Sequence, residues 1–235
     1  MPVRDRGHRD LRKVGTPLVT FVQYTYRPAT PGPLPTVIAI HGHGANGQDL
    51  LGLGPMLAGG RLLVICPEAE FQLQPGMPSY TWFRRDDQAQ RSPEEFERVA
   101  AALHAHIDRA VTAAGGDPGR VVLLGFSQGG SLAYRLGLAE PRRWRGLAAL
   151  STWLPDEAVT AADPTGLETL PVLVQHGSSD PAIEVARARQ SRDRLEELGA
   201  RPDYREYGMG HQIGPESLTD LSRWLERTLD LPRLD

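Results

Sequence analysis

Short unbroken apolar runs alternate along the chain with longer stretches whose apolar residues recur every three to four positions. The runs are "TVIAI" (36–40), "RLLVIC" (61–66), "VVLLG" (121–125), "GLAAL" (146–150) and "PVLVQ" (171–175). Apolar residues at every position, rather than every second one, suit strands covered on both faces, as in a parallel sheet. An earlier segment, "LVTFVQYTY" (18–26), mixes β-branched, aromatic and polar residues and predicts an exposed edge strand. The helical pattern is clearest from position 92. Ser92 can cap, Pro93 takes the first helical position, Glu94 and Glu95 favour the dipole, and Gly115 and Gly116 end the helix. Phe96, Val99, Leu103, Ile107 and Ala110 form its inward stripe. Further helices are predicted over 132–139, 184–198 and 216–229. The proline-rich "RPATPGPLP" is too short for a domain linker, and no repeat interrupts the alternation. The pattern predicts one three-layer α/β domain over 16–235, with a mostly parallel central sheet and helices on both faces. A charged leader, 1–15, precedes it.

Composition narrows the function classes. The 235 residues carry a formal charge of −3, and Lys13 is the only lysine. The arginines are scattered among acids, which argues against a basic stripe and a nucleic-acid partner. A single cysteine, Cys66, excludes an internal disulfide framework and favours a reducing compartment. No apolar run is long enough to span a bilayer, and the polar N-terminus does not resemble a signal peptide. The expectation is a soluble, cytoplasmic protein.

The chemistry concentrates in "GFSQGG". Gly125-Phe126-Ser127-Gln128-Gly129 is a G-x-S-x-G match between a predicted strand and a predicted helix, the context in which a serine is presented on a sharp turn. Side chains at Gly125 or Gly129 would collide with neighbouring segments. The Gln128 amide, at the start of the helix, is placed to meet a developing negative charge. A serine hydroxyl needs a general base, and the base needs an orienting acid. Of seven histidines, His8 lies in the leader, while His104 and His106 sit mid-helix as surface or groove residues. His41 and His176 directly follow strands, where packing and hydrogen bonding are the commoner roles. His211, in the glycine-rich "YGMGHQIG" before the last helix, is the base candidate. Asp180, just past the strand "PVLVQ", is the acid candidate. Asp156 and Asp163 read as surface loop residues, and Glu206 falls within the last strand. The order Ser127, Asp180, His211 is that of α/β-hydrolases.

A rival lies in "GHGANG" (42–47), a G-x-G-x-x-G match after a strand, with Glu68 and Glu70 following the next strand. That spacing also fits a dinucleotide-binding oxidoreductase. A catalytically silent hydrolase-fold binding protein is a third reading. Against both stand the serine, aspartate and histidine at three later strand ends, which neither reading requires.

Together, "IHGHGANGQDL", "GFSQGG", "LSTWLP", "QHGSSDPAI" and "GMGHQI" resemble, in order, the blocks of the phospholipase/carboxylesterase family of α/β-hydrolases. The resemblance runs from about residue 36 to 229. It implies Ser127 as nucleophile, His211 as base, Asp180 as orienting acid, and the backbone amides of His43 and Gln128 as oxyanion donors. Position 43 is often small or aliphatic in the family, so His43 alters pocket polarity. "YTWFRR" resembles a segment that places an aromatic residue near the acyl site. Trp82, Phe83, Trp153 and Leu154 are candidates for an apolar wall around the acyl group, with ordinary core packing as their other reading. The expected activity is hydrolysis of short- to medium-chain carboxylic esters, because little sequence is spare for a lid. Thioesters and lysophospholipids stay open. No cofactor and no metal are expected. The partners expected are a small-molecule ester and, admissibly, a second copy of the chain as a homodimer.

Overall fold

The computed structural model describes residues 21–84 and 92–232. The leader lies outside them, as do positions 18–20 of the first predicted strand. The apolar runs become the strands β2 (Leu34–Ile40), β3 (Leu63–Pro67), β6 (Gly116–Phe126), β7 (Gly146–Leu150) and β8 (Val172–Gly177). They are joined by β1 (Gln23–Tyr26) and β9 (Pro202–Tyr207) in a seven-stranded sheet of order β1-β3-β2-β6-β7-β8-β9. Every neighbouring pair is parallel except β1 with β3, so the predicted edge strand does sit at an edge, and is antiparallel. A separate two-stranded hairpin, β4 (Phe71–Gln72) with β5 (Tyr80–Thr81), has no pairing to the large sheet.

The continuous apolar runs have a simple cause: successive residues of one strand bury against opposite layers. Ile38 and Ile40, Leu63 and Ile65, and Leu123 pack in one core, and Val37 and Ala39, Val64 and Cys66, and Val122 and Leu124 in the other. The first core is closed by α2 (Pro93–Ala113), α3 (Gln128–Ala139), α4 (Asp156–Thr160) and α5 (Val185–Glu197). The second is closed by α1 (Gly47–Leu51) and α6 (Pro215–Thr228). Each large aliphatic side chain removed from water in these layers contributes roughly 1.5–3 kcal/mol.

Helix α2 follows its signals. The Ser92 side chain accepts from the Glu95 amide at 3.1 Å, and the whole predicted stripe is buried. Three readings need correction. Helix α3 starts at Gln128 rather than Leu132, so the serine abuts it directly. Strand β6 reaches back to Gly116, with its pairing to β2 shifted between Leu34 and Thr36, because Pro118 and Gly119 bow out of the ladder. His106 is not a surface residue: it is 6% exposed, with its ring edge-on to Phe21 at 5.5 Å. Among the described residues, no helix is long and apolar enough to cross a membrane.

Candidate active site

In a parallel sheet with crossover helices, the loops that leave the carboxyl ends of the strands gather on one edge. Ser127 follows β6, Asp180 follows β8, His211 follows β9 and His43 follows β2. The topology alone therefore brings four distant segments together.

Ser127 stands between the strand and α3 with φ 53° and ψ −121°, a conformation that a residue with a side chain adopts only under constraint. The constraint is visible. Its amide donates to Leu150 O at 2.9 Å, and its carbonyl accepts from the Gly130 amide at 2.9 Å and the Thr152 hydroxyl at 2.8 Å. The flanking glycines are required sterically. A Cβ on Gly129 would land on the Ile40 carbonyl and 2.6 Å from that of His41, and one on Gly125 would meet Gly130 Cα at 2.6 Å. Gly42 lies close against the serine itself, since a Cβ there would be 3.2 Å from Ser127 Cβ.

His211 reaches Ser127 from the far side. Its Nε2 is 3.0 Å from Ser127 Oγ, and its Nδ1 is 2.7 Å from Asp180 Oδ2. Burial pushes the Asp180 carboxyl up, but hydrogen bonds from the Ile183 amide, His211 and the Ala182 amide outweigh it and hold the group below the usual carboxylate range. An ionised carboxylate only accepts, so Nδ1 carries the hydrogen and Nε2 presents its lone pair to the serine hydroxyl. The loop holding His211 passes so close to β8 that Gly177 has no room for a side chain; a Cβ would fall 2.9 Å from Met209 C. Ser178 and Ser179 tie the two loops together by donating to Tyr207 O at 2.8 Å and Met209 O at 3.2 Å.

The other strand-end histidines are structural. His41 is buried; its Nδ1 donates to Gly42 O at 2.7 Å and its Nε2 accepts from the Ala69 amide at 3.0 Å. Burial lowers its pKa to about 4, against a smaller opposing effect of the Gly42 bond. His176, wholly buried, donates from Nε2 to Ile183 O at 2.8 Å and lies 3.4 Å from Asp180 Oδ2, behind the carboxylate. Glu206 is held by Arg189 at 2.7 Å and Asp156 by Arg194 at 2.8 Å, while His211 Nδ1 bonds Asp180.

The expected apolar wall divides. Trp82 is 0% exposed and offers no surface to a ligand, which corrects that expectation; its indole N–H instead donates to His41 O at 2.8 Å. Phe83 is 2% exposed and packs on Phe96 at 5.3 Å, so it meets only the floor of a cavity of about 600 Å³ whose other lining is His43, Glu70, Phe71, Gln72, Leu73, Thr81 and Arg84. Trp153 and Leu154 line a second cavity of about 240 Å³ between α4 and α5, where the Arg187 guanidinium lies 4.3 Å over the Trp153 ring. Sequence reasoning missed Thr152 and the Gln128 side chain, which bonds Trp82 N and Thr81. A polar residue directly after the serine is the signal for Gln128, whereas Thr152 lies 25 residues on, after β7, and only the fold brings it to Ser127.

The glycine loop does not suit a pyrophosphate. The start of α1 is already occupied by the Asn46 side chain, which accepts from Gln48 N at 2.8 Å, and by the Asp49 carboxylate, whose charge would repel phosphate. Glu68 is engaged by Tyr24 and Glu70 by Arg98.

Comparison with known proteins identifies the family. The profile of the Phospholipase/Carboxylesterase family matches residues 26–229. The chain belongs to the phospholipase/carboxylesterase family. Membership makes it a hydrolase of the esterase and thioesterase kind. It is 30% identical over 219 residues to acyl-protein thioesterase 1 of Cryptococcus neoformans, an alignment covering 83% of this chain and 92% of that protein. It is 31% identical over 170 residues to a protein of Oryza sativa subsp. japonica named a probable inactive carboxylesterase, covering 69% of each. The crystal structure of esterase PE8 superposes with a TM-score of 0.73 at 25% identity, over 90% of this chain and all of that one.

Proposed function

We propose that the protein is a serine carboxylesterase acting on short- to medium-chain esters by an acyl-enzyme mechanism. The observation that carries the reading is the unbroken hydrogen-bonded line from Ser127 Oγ through His211 to Asp180. In the first step His211 Nε2 takes the hydroxyl proton as Ser127 Oγ bonds to the acyl carbon, and the carbonyl electron pair moves onto oxygen. The backbone amides of His43 and Gln128 receive that oxyanion, and the charge on Asp180 stabilises the imidazolium. The intermediate collapses, the alcohol leaves with the proton from His211, and water repeats both steps to free the acid.

The apolar part of the substrate is assigned to the Phe71 and Leu73 side of the cavity beside His43, whose other side carries Glu70, Gln72 and Arg84. The family relatives named acyl-protein thioesterase favour thioesters as further substrates, since a thiolate leaves by the same route.

The test is hydrolysis of p-nitrophenyl esters and acyl thioesters of graded chain length, with fluorophosphonate labelling. Ser127→Ala is expected to lower kcat by about four orders of magnitude or more and to abolish labelling. Full activity in that variant would remove the nucleophile assignment. An inert wild-type protein that still binds esters would favour the silent binding protein.

A further inference from the structure

We propose that the Gln128 side chain is a positioning group that sets the separation of the two oxyanion donors, a role distinct from that of its own amide. The proposal rests on the esterase reading above. One donor, Gln128 N, is rigidly placed because it follows the pinned Ser127 at the start of α3. The other belongs to His43, in a loop between β2 and α1, and something must hold that loop at the right distance.

The β4–β5 hairpin does so. It grips the loop on both sides of His43: the Trp82 indole donates to His41 O at 2.8 Å, and Gly44 N donates to Tyr80 O at 2.8 Å. Tyr80 N returns a bond to Ala45 O at 2.8 Å, and Ser79 Oγ donates to Gly44 O at 2.8 Å. Yet the hairpin has no strand pairing with the main sheet. The Trp82 and Phe83 rings that follow it anchor it in the core, against Phe21 and Phe96, and Gln128 is its hydrogen-bonded link to the nucleophile turn. Oε1 accepts from Trp82 N at 3.0 Å, and Nε2 donates to Thr81 Oγ1 at 3.1 Å. The single Thr81 hydroxyl hydrogen then goes to Phe83 O at 3.1 Å, which leaves no conflict between donors. The contacts form a closed ring: Gln128 side chain, Thr81 and Trp82, Tyr80, the His43 loop, and back past Gly42 to Ser127.

An oxyanion hole works through preorganisation, so donors that drift apart stabilise the transition state less while ground-state binding is kept. Gln128→Met keeps the amide, the length and the helix propensity but removes the clamp. It is expected to lower kcat about tenfold or more, short of the larger loss caused by deleting a donor outright, with KM little changed. Affinity for a trifluoromethyl ketone, whose serine adduct places an oxyanion in the hole, should fall by the same factor as kcat/KM. Thr81→Val, which cuts the ring from the other side, should act in the same direction and guards against misfolding of the first variant. Unchanged kcat in either folded variant would overturn the proposal, as would a loss confined to KM or one that leaves the ketone affinity untouched. Ser127→Ala run in parallel keeps the two readings separate: full activity there removes the esterase assignment, whatever the Gln128 variant does.

Discussion

A serine with φ 53° and two neighbours that tolerate no Cβ are one physical fact seen twice. The chain turns so sharply after β6 that α3 packs its first turn onto the end of β2. Gly129 is where the backbones touch, and its contacts are carbonyl oxygens that cannot swing aside. Gly129→Ala is therefore expected to cost about 2–4 kcal/mol of stability, read from the urea midpoint. A variant as stable as the parent would contradict this close approach. Ser127 was legible in the sequence because the glycines needed for the turn are written beside it. Asp180 and His211 were legible because each follows a strand signal. Trp82 was misplaced for the opposite reason. An aromatic residue in a loop reads the same whether its ring faces a ligand or the core, and only the neighbouring Phe21 and His41 rings decide it.

Among the elements, the buried strands and the longer helices are readable, and the two-residue strands β4 and β5 and the five-residue helices α1 and α4 are not. Helix α2 carries its own start: Ser92 at the cap, Pro93 next, and two acids in the first turn. Ser92→Ala is expected to cost about 1 kcal/mol, measured by thermal or urea unfolding, with activity on esters retained. No measurable change would mean that the cap adds nothing beyond the tertiary packing of the stripe. The hairpin β4–β5 has two-residue strands, too short for any periodicity, and it is held by contacts made from a helix far along the chain. The sequence predicts a late start for α3 because Gly129 and Gly130 are poor helix formers; the strand-end turn and the surrounding packing impose the helix there.

For the molecule as a whole, buried groups link stability to pH. His41 titrates near 6.5 in an open chain and at about 4 when folded, because burial disfavours its charged form. Between those values the unfolded chain binds a proton that the folded chain refuses. Its contribution is thus full above about pH 6.5 and lost as pH falls toward 4, a change of up to about 3 kcal/mol. Comparing urea midpoints at pH 7 and pH 4.5 for the parent and His41→Asn tests this. The parent should lose more on acidification than the variant, and equal losses would show that His41 is not the linked group. The carboxylates of Asp180, Glu206 and Asp220, held below their usual range, add to acid destabilisation in both proteins and cancel in the comparison.

The sequence by itself determined the layer architecture, the parallel strands and the three side chains that meet at one sheet edge. Those depend on local signals: continuous apolar runs, caps, and glycines at obligatory turns. The tertiary structure alone decided which aromatic rings face a cavity, that His106 is buried, and that the Gln128 side chain holds the hairpin beside the loop of His43. These are contacts between segments far apart in the chain, and no spacing in the sequence encodes a distance across the sheet.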